Sequence, residues 1–212
     1  MRRHITFPCG DITLEGCWHF PETDSDFPAV VVCHPHPLNG GSMSANVIFK
    51  ICEALSQRGI VALRFNFRGV GMSSGTFGNG IAEQDDARAA LAVVMAAPNI
   101  DTTRLGLAGY SFGGGIAVPV AAQESKVKLL ALIAPALTDS ANQLLKAYPR
   151  PVFLIIGEND TMIPSELVRQ HLSNNAGPRY GEILPGADHF WQGYDVQAAE
   201  KVADFFSAGF KD

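Results

Sequence analysis

The stretch LAGYSFGGGIA, from Leu107 to Ala117, places four glycines around one serine, directly after a run that is typical of a β-strand. Its centre, GYSFG from Gly109 to Gly113, has the pattern GxSxG. In this pattern the serine occupies a tight turn between a strand and a helix, and its neighbours two residues away come so close that a Cβ would clash. The stretch therefore predicts a strand, an exposed Ser111 and a helix. A glycine-rich turn without chemistry is the competing interpretation.

Strand-like and helix-like segments alternate along the rest of the chain. A hairpin is predicted at 4–7 and 12–20, followed by strands at 29–33, 60–66, 104–108, 127–134, 152–156 and 180–184. Helices are predicted at 45–58, 81–97, 112–123, 164–174 and 196–206. This order predicts an α/β fold in which helices cover both faces of a mostly parallel sheet with an antiparallel edge. The length of 212 residues suits one domain, 1–212.

Composition and charge exclude several classes of function. Hydrophobic residues make up 47% of the chain and charged residues 17%, as in globular proteins, and the net charge is -5. An acidic chain without a basic patch is a poor match for nucleic acid or for an anionic membrane. The N-terminal residues alternate in polarity, unlike a signal peptide, and no apolar run approaches the length of a membrane span. We therefore expect a cytoplasmic protein.

The four cysteines, Cys9, Cys17, Cys33 and Cys52, have no CxxC spacing. Free thiols in a reducing compartment are the simplest interpretation. Cys9 and Cys17 flank the predicted hairpin turn at Gly10 and Asp11, so a bridge between them is left open.

A serine hydroxyl needs a base that takes its proton and a carboxylate that orients this base. Two loops at predicted strand ends supply them, with Asp160 in GENDTMIP after one strand and His189 in PGADHFW after the next. Ligands of parallel sheets bind at the carboxyl ends of the strands, where the loops meet. Residue types, positions and chain order together predict a Ser111–His189–Asp160 triad. Taken singly, Asp160 could instead cap a helix and His189 could be an ordinary polar residue.

Two further carboxylates lie close to the predicted acid and base. Glu158 follows its strand too closely to fit the role of the acid, and Asp188 is too near His189 in sequence to reach the far nitrogen of the ring. Both fit less well than Asp160.

Two backbone amides are expected to stabilise an oxyanion. One belongs to Phe112, at the start of the helix after the serine, and the other to the loop HPHPLNGG after the third strand. Prolines in this loop lack an N–H, which leaves His36 as the preferred donor and Leu38 as the second choice. A competing interpretation makes His34 and His36 metal ligands, but no cluster of carboxylates or thiols completes the set, so we expect no metal.

These motifs, together with RFNFRGVGMSSG after the fourth strand, give a chain that resembles the α/β-hydrolase superfamily over nearly its full length. It is most similar to small cap-less serine hydrolases near the dienelactone-hydrolase-like group. The resemblance implies an eight-stranded fold and the same roles for Ser111, Asp160, His189 and the two amides. Dienelactone hydrolases proper have cysteine in the elbow, whereas this chain has Ser111, which favours ester hydrolysis.

The gap from Thr138 to Arg150, where lid domains of this superfamily usually sit, holds one short helix, so an open site is expected. The expected substrate is a small-molecule carboxylic ester with a small or medium acyl chain, cleaved without a cofactor. A thioesterase, a peptidase and a non-catalytic binding protein are the alternatives, and a homodimer is compatible with the sequence. The expected pocket walls are Leu38, Met43, Phe77, Tyr110, Met162, Phe190 and Trp191.

Overall fold

The structure, a computed structural model, describes residues 1–22, 26–173 and 176–211. Within these residues one sheet contains the strands β1 Arg2–Cys9, β2 Ile12–His19, β3 Phe27–Cys33, β4 Val61–Phe65, β5 Ile100–Tyr110, β6 Val127–Ile133, β7 Val152–Gly157 and β8 Arg179–Leu184. Their order across the sheet is β1-β2-β4-β3-β5-β6-β7-β8. β2 runs antiparallel to both neighbours and all other pairs are parallel, as the alternating sequence predicted.

Helices cover both faces of this sheet. They are α1 Asn46–Gln57, α2 Glu83–Ala96, α3 Phe112–Gln123, α4 Asp139–Ala147, α5 Glu166–Leu172 and α6 Asp195–Gly209. α1 and α6 pack on one face, and α2, α3, α4 and α5 on the other, which gives two apolar cores. Every residue of β3 is buried because it contacts helices on both sides. None of the described helices has the length and apolar character needed to cross a membrane.

Most element boundaries differ from the sequence-based expectation by one to four residues, and two of these differences have a clear physical reason. β5 begins at Ile100 instead of residue 104, because Ile100 pairs with Phe27 before the register shifts. α2 begins at Glu83, two residues later than expected. The buried Glu83 carboxylate accepts hydrogen bonds from the amides of Gly78 and Gly80, at 2.6 and 2.8 Å. The preceding loop therefore closes around the first turn of this helix.

The hairpin register rules out the bridge between Cys9 and Cys17. The turn at Gly10 and Asp11 has only two residues, so Cys9 pairs with Ile12 and Cys17 lies opposite His4. All four cysteines are free thiols. Burial raises the pKa of the Cys9 thiol to about 11, and it raises the pKa of Cys33 and Cys52 further, which makes all three poor nucleophiles.

Candidate active site

Ser111 joins the end of β5 to the start of α3 with a strained backbone. Its φ of 54° and ψ of -117° lie in a region that L-residues seldom adopt, at a cost on the order of 1–3 kcal/mol. Its amide donates to the carbonyl of Ile133, and its carbonyl accepts from the amides of Gly114 and Ala136, each at 2.9 Å. The bonds to Ile133 and Ala136 tie the serine to β6 and the loop after it, and the bond from Gly114 ties it to α3.

The two glycines of the motif are required by close backbone contacts. A Cβ on Gly109 would lie 2.6 Å from the amide nitrogen of Gly114, and one on Gly113 would lie 2.6 Å from the carbonyl oxygen of His34. Gly113 therefore lets α3 approach the loop after β3, where the second oxyanion donor was predicted. A Cβ on Gly114 or Gly115 would meet Pro135 or Ala136, so these two glycines let α3 pack closely against the loop after β6.

The three residues of the predicted triad meet at the carboxyl end of the sheet. Nε2 of His189 lies 3.1 Å from Oγ of Ser111, and Nδ1 lies 2.8 Å from Oδ2 of Asp160. All three side chains are buried, with residue exposures of 5 to 8%. This arrangement can move a proton from the hydroxyl to the imidazole while the carboxylate stabilises the resulting cation.

The carboxylate of Asp160 is oriented by its own loop. Oδ1 accepts hydrogen bonds from the amides of Met162 and Ile163, both at 2.8 Å, which leaves Oδ2 for His189. A proton on Nδ1 of His189 then points at Asp160, and Nε2 is free to accept from the serine. The hydroxyl of Tyr110 donates to the carbonyl of His189 at 2.7 Å, which ties the elbow to the loop of the base.

The two neighbouring carboxylates accept hydrogen bonds from backbone amides instead. Glu158 accepts a hydrogen bond from the amide of Gly186 at 3.1 Å. Asp188 accepts one from the amide of Phe190 at 3.0 Å. In the described structure neither carboxylate is hydrogen-bonded to the ring of His189.

Two backbone amides beside the serine are available as oxyanion donors. Within residues 1–22, 26–173 and 176–211, neither the amide of Phe112 nor that of His36 donates to a protein acceptor. The amide of Leu38 is already engaged, because it donates to Nδ1 of His36 at 3.2 Å. The geometry thus favours His36 over Leu38.

His34 anchors the loop that carries His36. Its Nε2 accepts from the amide of Phe67 at 3.0 Å, and its Nδ1 lies 2.6 Å from the carbonyl of Pro35. The ring is fully buried, and this burial lowers the pKa of His34 to about 4. Both ring nitrogens are used within the protein, which argues against the interpretation as a metal ligand. The described residues contain no group of three or more His, Cys, Asp or Glu side chains arranged around a metal position.

Two polar residues, Arg64 in β4 and Asn66 directly after it, hold the loop that carries His36. This role was not predicted from the sequence. Asn66 accepts from the amide of Met43 at 2.7 Å, and Arg64 donates to the carbonyl of Met43 at 2.7 Å. Both side chains are buried. The sequence did carry a signal for this role, because an arginine and an asparagine interrupt the otherwise apolar run VALRFNF. Buried polar groups need hydrogen-bond partners, so these two residues could have been expected to bind a neighbouring loop.

We predict that His34 makes stability depend on pH. The unfolded chain binds a proton on His34 below about pH 6.5, whereas the folded chain does so only near pH 4. The free energy of unfolding therefore decreases as the pH is lowered from about 6.5 to about 4. In urea titrations, His34→Gln should give a slope shallower by up to about 1.4 kcal/mol per pH unit. His4→Gln, at an exposed position of β1, should keep the wild-type slope. Equal slopes in all three proteins would contradict the prediction.

A cavity of about 250 Å³ opens at Ser111 and His189. Of the predicted pocket residues, Tyr110, Met162 and Phe190 line it, together with His36. Asn39, in the loop after β3, and Asn46, the first residue of α1, also line it and were missed, because single polar residues carry no pattern that marks them.

The other predicted pocket residues lie elsewhere. The prediction for Trp191 is wrong, because its side chain is fully buried in the core beneath α6 and α1. Leu38 is also corrected, since it lies outside the cavity lining on the neighbouring turn and is 70% exposed. Met43 is buried, and Phe77 packs against the ring of His36, with 5.1 Å between ring centroids.

Comparisons with known proteins agree with this fold. Residues 28–150 match the family model described as serine aminopeptidase, S33. An uncharacterized protein of Rickettsia prowazekii is 30% identical over 192 residues, which cover 86% of this chain and 80% of the relative.

Two solved structures resemble the whole chain. An α/β serine hydrolase homologue from Coxiella burnetii is 30% identical, with a TM-score of 0.86 over 96% of both chains. An α/β serine hydrolase without a lid from Xanthomonas campestris is also 30% identical, with a TM-score of 0.79 over 96% of this chain and 92% of the other. The described residues contain no cap domain, and the chain belongs to the α/β-hydrolase superfamily, within the family described as serine aminopeptidase S33.

Proposed function

We propose that the protein hydrolyses carboxylic esters with small or medium acyl chains through an acyl-enzyme formed on Ser111. The observation that carries this proposal is the position of His189, which reaches Ser111 with one ring nitrogen and Asp160 with the other. A histidine bridged in this way serves as a general base for the hydroxyl and then as a general acid for the leaving group.

In the first half of the reaction, Nε2 of His189 takes the proton of Ser111 while Oγ attacks the ester carbonyl. The amides of Phe112 and His36 donate hydrogen bonds to the oxyanion of the tetrahedral intermediate. Removing one such donor typically costs about 3 kcal/mol of transition-state stabilisation. As the intermediate collapses, the imidazolium protonates the alcohol oxygen and the C–O bond breaks.

In the second half, His189 takes a proton from a water molecule, and the resulting hydroxide attacks the acyl-enzyme. The same amides stabilise the second oxyanion. Collapse returns the proton to Oγ of Ser111 and releases the carboxylic acid. Protons and electron pairs stay on the protein, the substrate and water throughout, so the scheme needs no cofactor.

Peptide hydrolysis is the second candidate, because the matching family model is described as a serine aminopeptidase. An aminopeptidase must bind the charged amino terminus of its substrate, for which a carboxylate is the natural partner. Among the described residues that line the cavity there is no aspartate or glutamate. The lining therefore favours a neutral ester over a substrate with a free amine.

The test of this proposal is active-site labelling combined with an acyl-donor panel. A fluorophosphonate probe should label wild-type protein at Ser111, and Ser111→Ala should remain unlabelled. p-Nitrophenyl acetate and butyrate should be hydrolysed faster than matched thioesters and than aminoacyl p-nitroanilides. Folded protein that takes no label would support the alternative of a non-catalytic binding protein. Faster hydrolysis of anilides or of thioesters than of esters would mean that the protein is a peptidase or a thioesterase instead of an esterase.

A further inference from the structure

A second cavity, of about 270 Å³, lies beside the catalytic one. We call it the α3–α4 groove. Its apolar lining comes from the loop before α2, from α3 and from α4, with the side chains of Ile81, Phe112, Ile116, Pro119, Ala141 and Leu144. Phe112 joins the two cavities, because its ring lines the groove and lies 4.9 Å from the ring of His36, which lines the catalytic cavity.

The groove presents apolar side chains to solvent. Ile81 is 75% exposed and Leu144 is 39% exposed. No charged residue is among the described residues that line it. Three of its polar side chains are already bonded within the protein, since Gln84 donates to the carbonyl of Gly80 and the hydroxyls of Thr138 and Ser140 pair with each other. A concave surface of this kind suits an uncharged apolar ligand.

The chemistry of the site determines which part of an ester lies in the groove. His189 must protonate the leaving alcohol, so the alcohol lies on the side of the catalytic cavity that His189, Met162 and Phe190 line. The acyl chain then extends away from His189. On that side Phe112 offers its amide to the carbonyl oxygen and its ring to the chain that follows.

Glycine keeps the groove open where it meets Phe112. A Cβ on Gly80 would lie 3.6 Å from Cε2 of Phe112 and 3.8 Å from Cδ1 of Ile116. Any larger side chain at this position would fill the space between the loop and α3. The backbone of Gly80, with a φ of 80°, also favours glycine.

We propose that the α3–α4 groove binds the far end of a medium-length, unbranched acyl chain whose carbonyl is attacked by Ser111. This inference rests on the proposed ester hydrolysis and adds the position and the length of the acyl group. Each methylene group that enters the groove should raise kcat/KM about two- to fourfold, as expected for burial of apolar surface.

The experiment compares kcat/KM for p-nitrophenyl esters of two to ten carbons in wild type and in the double variant Ile81→Ser, Leu144→Ser. The wild type should prefer eight carbons to two, whereas the double variant should lose about tenfold on eight carbons and keep its rate on two. Ser140→Trp, which places a bulky ring at an exposed position of the groove, should give the same selective loss. Met72→Ser, at an 80% exposed position outside both cavities, is the matched control and should keep the wild-type profile.

A binding measurement separates this inference from the activity. In Ser111→Ala protein, the neutral probe octanamide should raise the melting temperature and acetamide should not, and the shift should disappear when Ile81→Ser and Leu144→Ser are added. If no ester is hydrolysed but octanamide still binds in this way, the proposed function fails and the groove stands. If chain-length profiles of wild type and groove variants run parallel, or octanamide gives no shift, the inference is overturned whatever the esterase activity.

Discussion

Ser111→Ala should lower kcat for p-nitrophenyl acetate by a factor on the order of 10³ to 10⁶, without lowering the melting temperature. The oxygen that attacks the carbonyl is lost, and no other described hydroxyl is hydrogen-bonded to His189. The substitution should not change the backbone strain at position 111, because alanine tolerates this conformation as well as serine does. The measurement is steady-state hydrolysis, with Ser44→Ala, an exposed serine on the loop before α1, as the control.

A double variant gives this prediction a stricter form. Residues that act as one catalytic unit lose activity in a strongly non-additive way. Ser111→Ala combined with His189→Ala should therefore be about as slow as Ser111→Ala alone. A further drop of comparable size in the double variant would mean that His189 acts independently of the serine, and the acyl-enzyme scheme would have to be abandoned.

Gly113→Ala should lower kcat by a factor on the order of 10² to 10³, in addition to destabilising the fold. The added methyl group would press against the carbonyls of Cys33 and His34, at the base of the loop that carries the amide of His36. Displacing that loop removes an oxyanion donor from its position. The measurement is kcat for the acetyl ester, taken at a temperature where the variant remains folded.

Gly177→Ala is the matched control for this substitution. Its Cβ would press against the carbonyl of Pro149, another backbone group, at a site before β8 and outside both cavities. Both variants should lose comparable stability, but only Gly113→Ala should lose kcat once folded protein is compared. If the two variants lose kcat equally, the loss reflects general destabilisation, and the proposed role of the loop is contradicted.

The order of strands and helices could be predicted because its signals are local. β3 shows as a short run of buried apolar residues, and α3 was placed correctly from Phe112 to Gln123 by the motif in front of it. The positions of Asp160 and His189 followed from topology, since the loops after parallel strands meet at one edge. These inferences needed only the spacing of residues in the sequence and the rule that sites in parallel sheets lie at the carboxyl ends of the strands.

Other features depended on packing that spacing does not encode. Trp191 resembles a pocket aromatic in sequence, yet it is fully buried in the core on the face of the sheet that α1 and α6 cover. The α3–α4 groove exists because three segments far apart in sequence leave a gap between them. The register of the hairpin could have been worked out, because a two-residue turn places Cys17 opposite His4 and not opposite Cys9.

The backbone of Ser111 has a consequence for how such a protein evolves. A φ of 54° is costly for serine and easy for glycine, so glycine at this position would relieve backbone strain in the folded state but would remove the hydroxyl. Under the proposed hydrolysis, a serine in this conformation is expected only where its hydroxyl is used, so the residue at this position should separate active relatives of this scaffold from those that serve only as binding proteins.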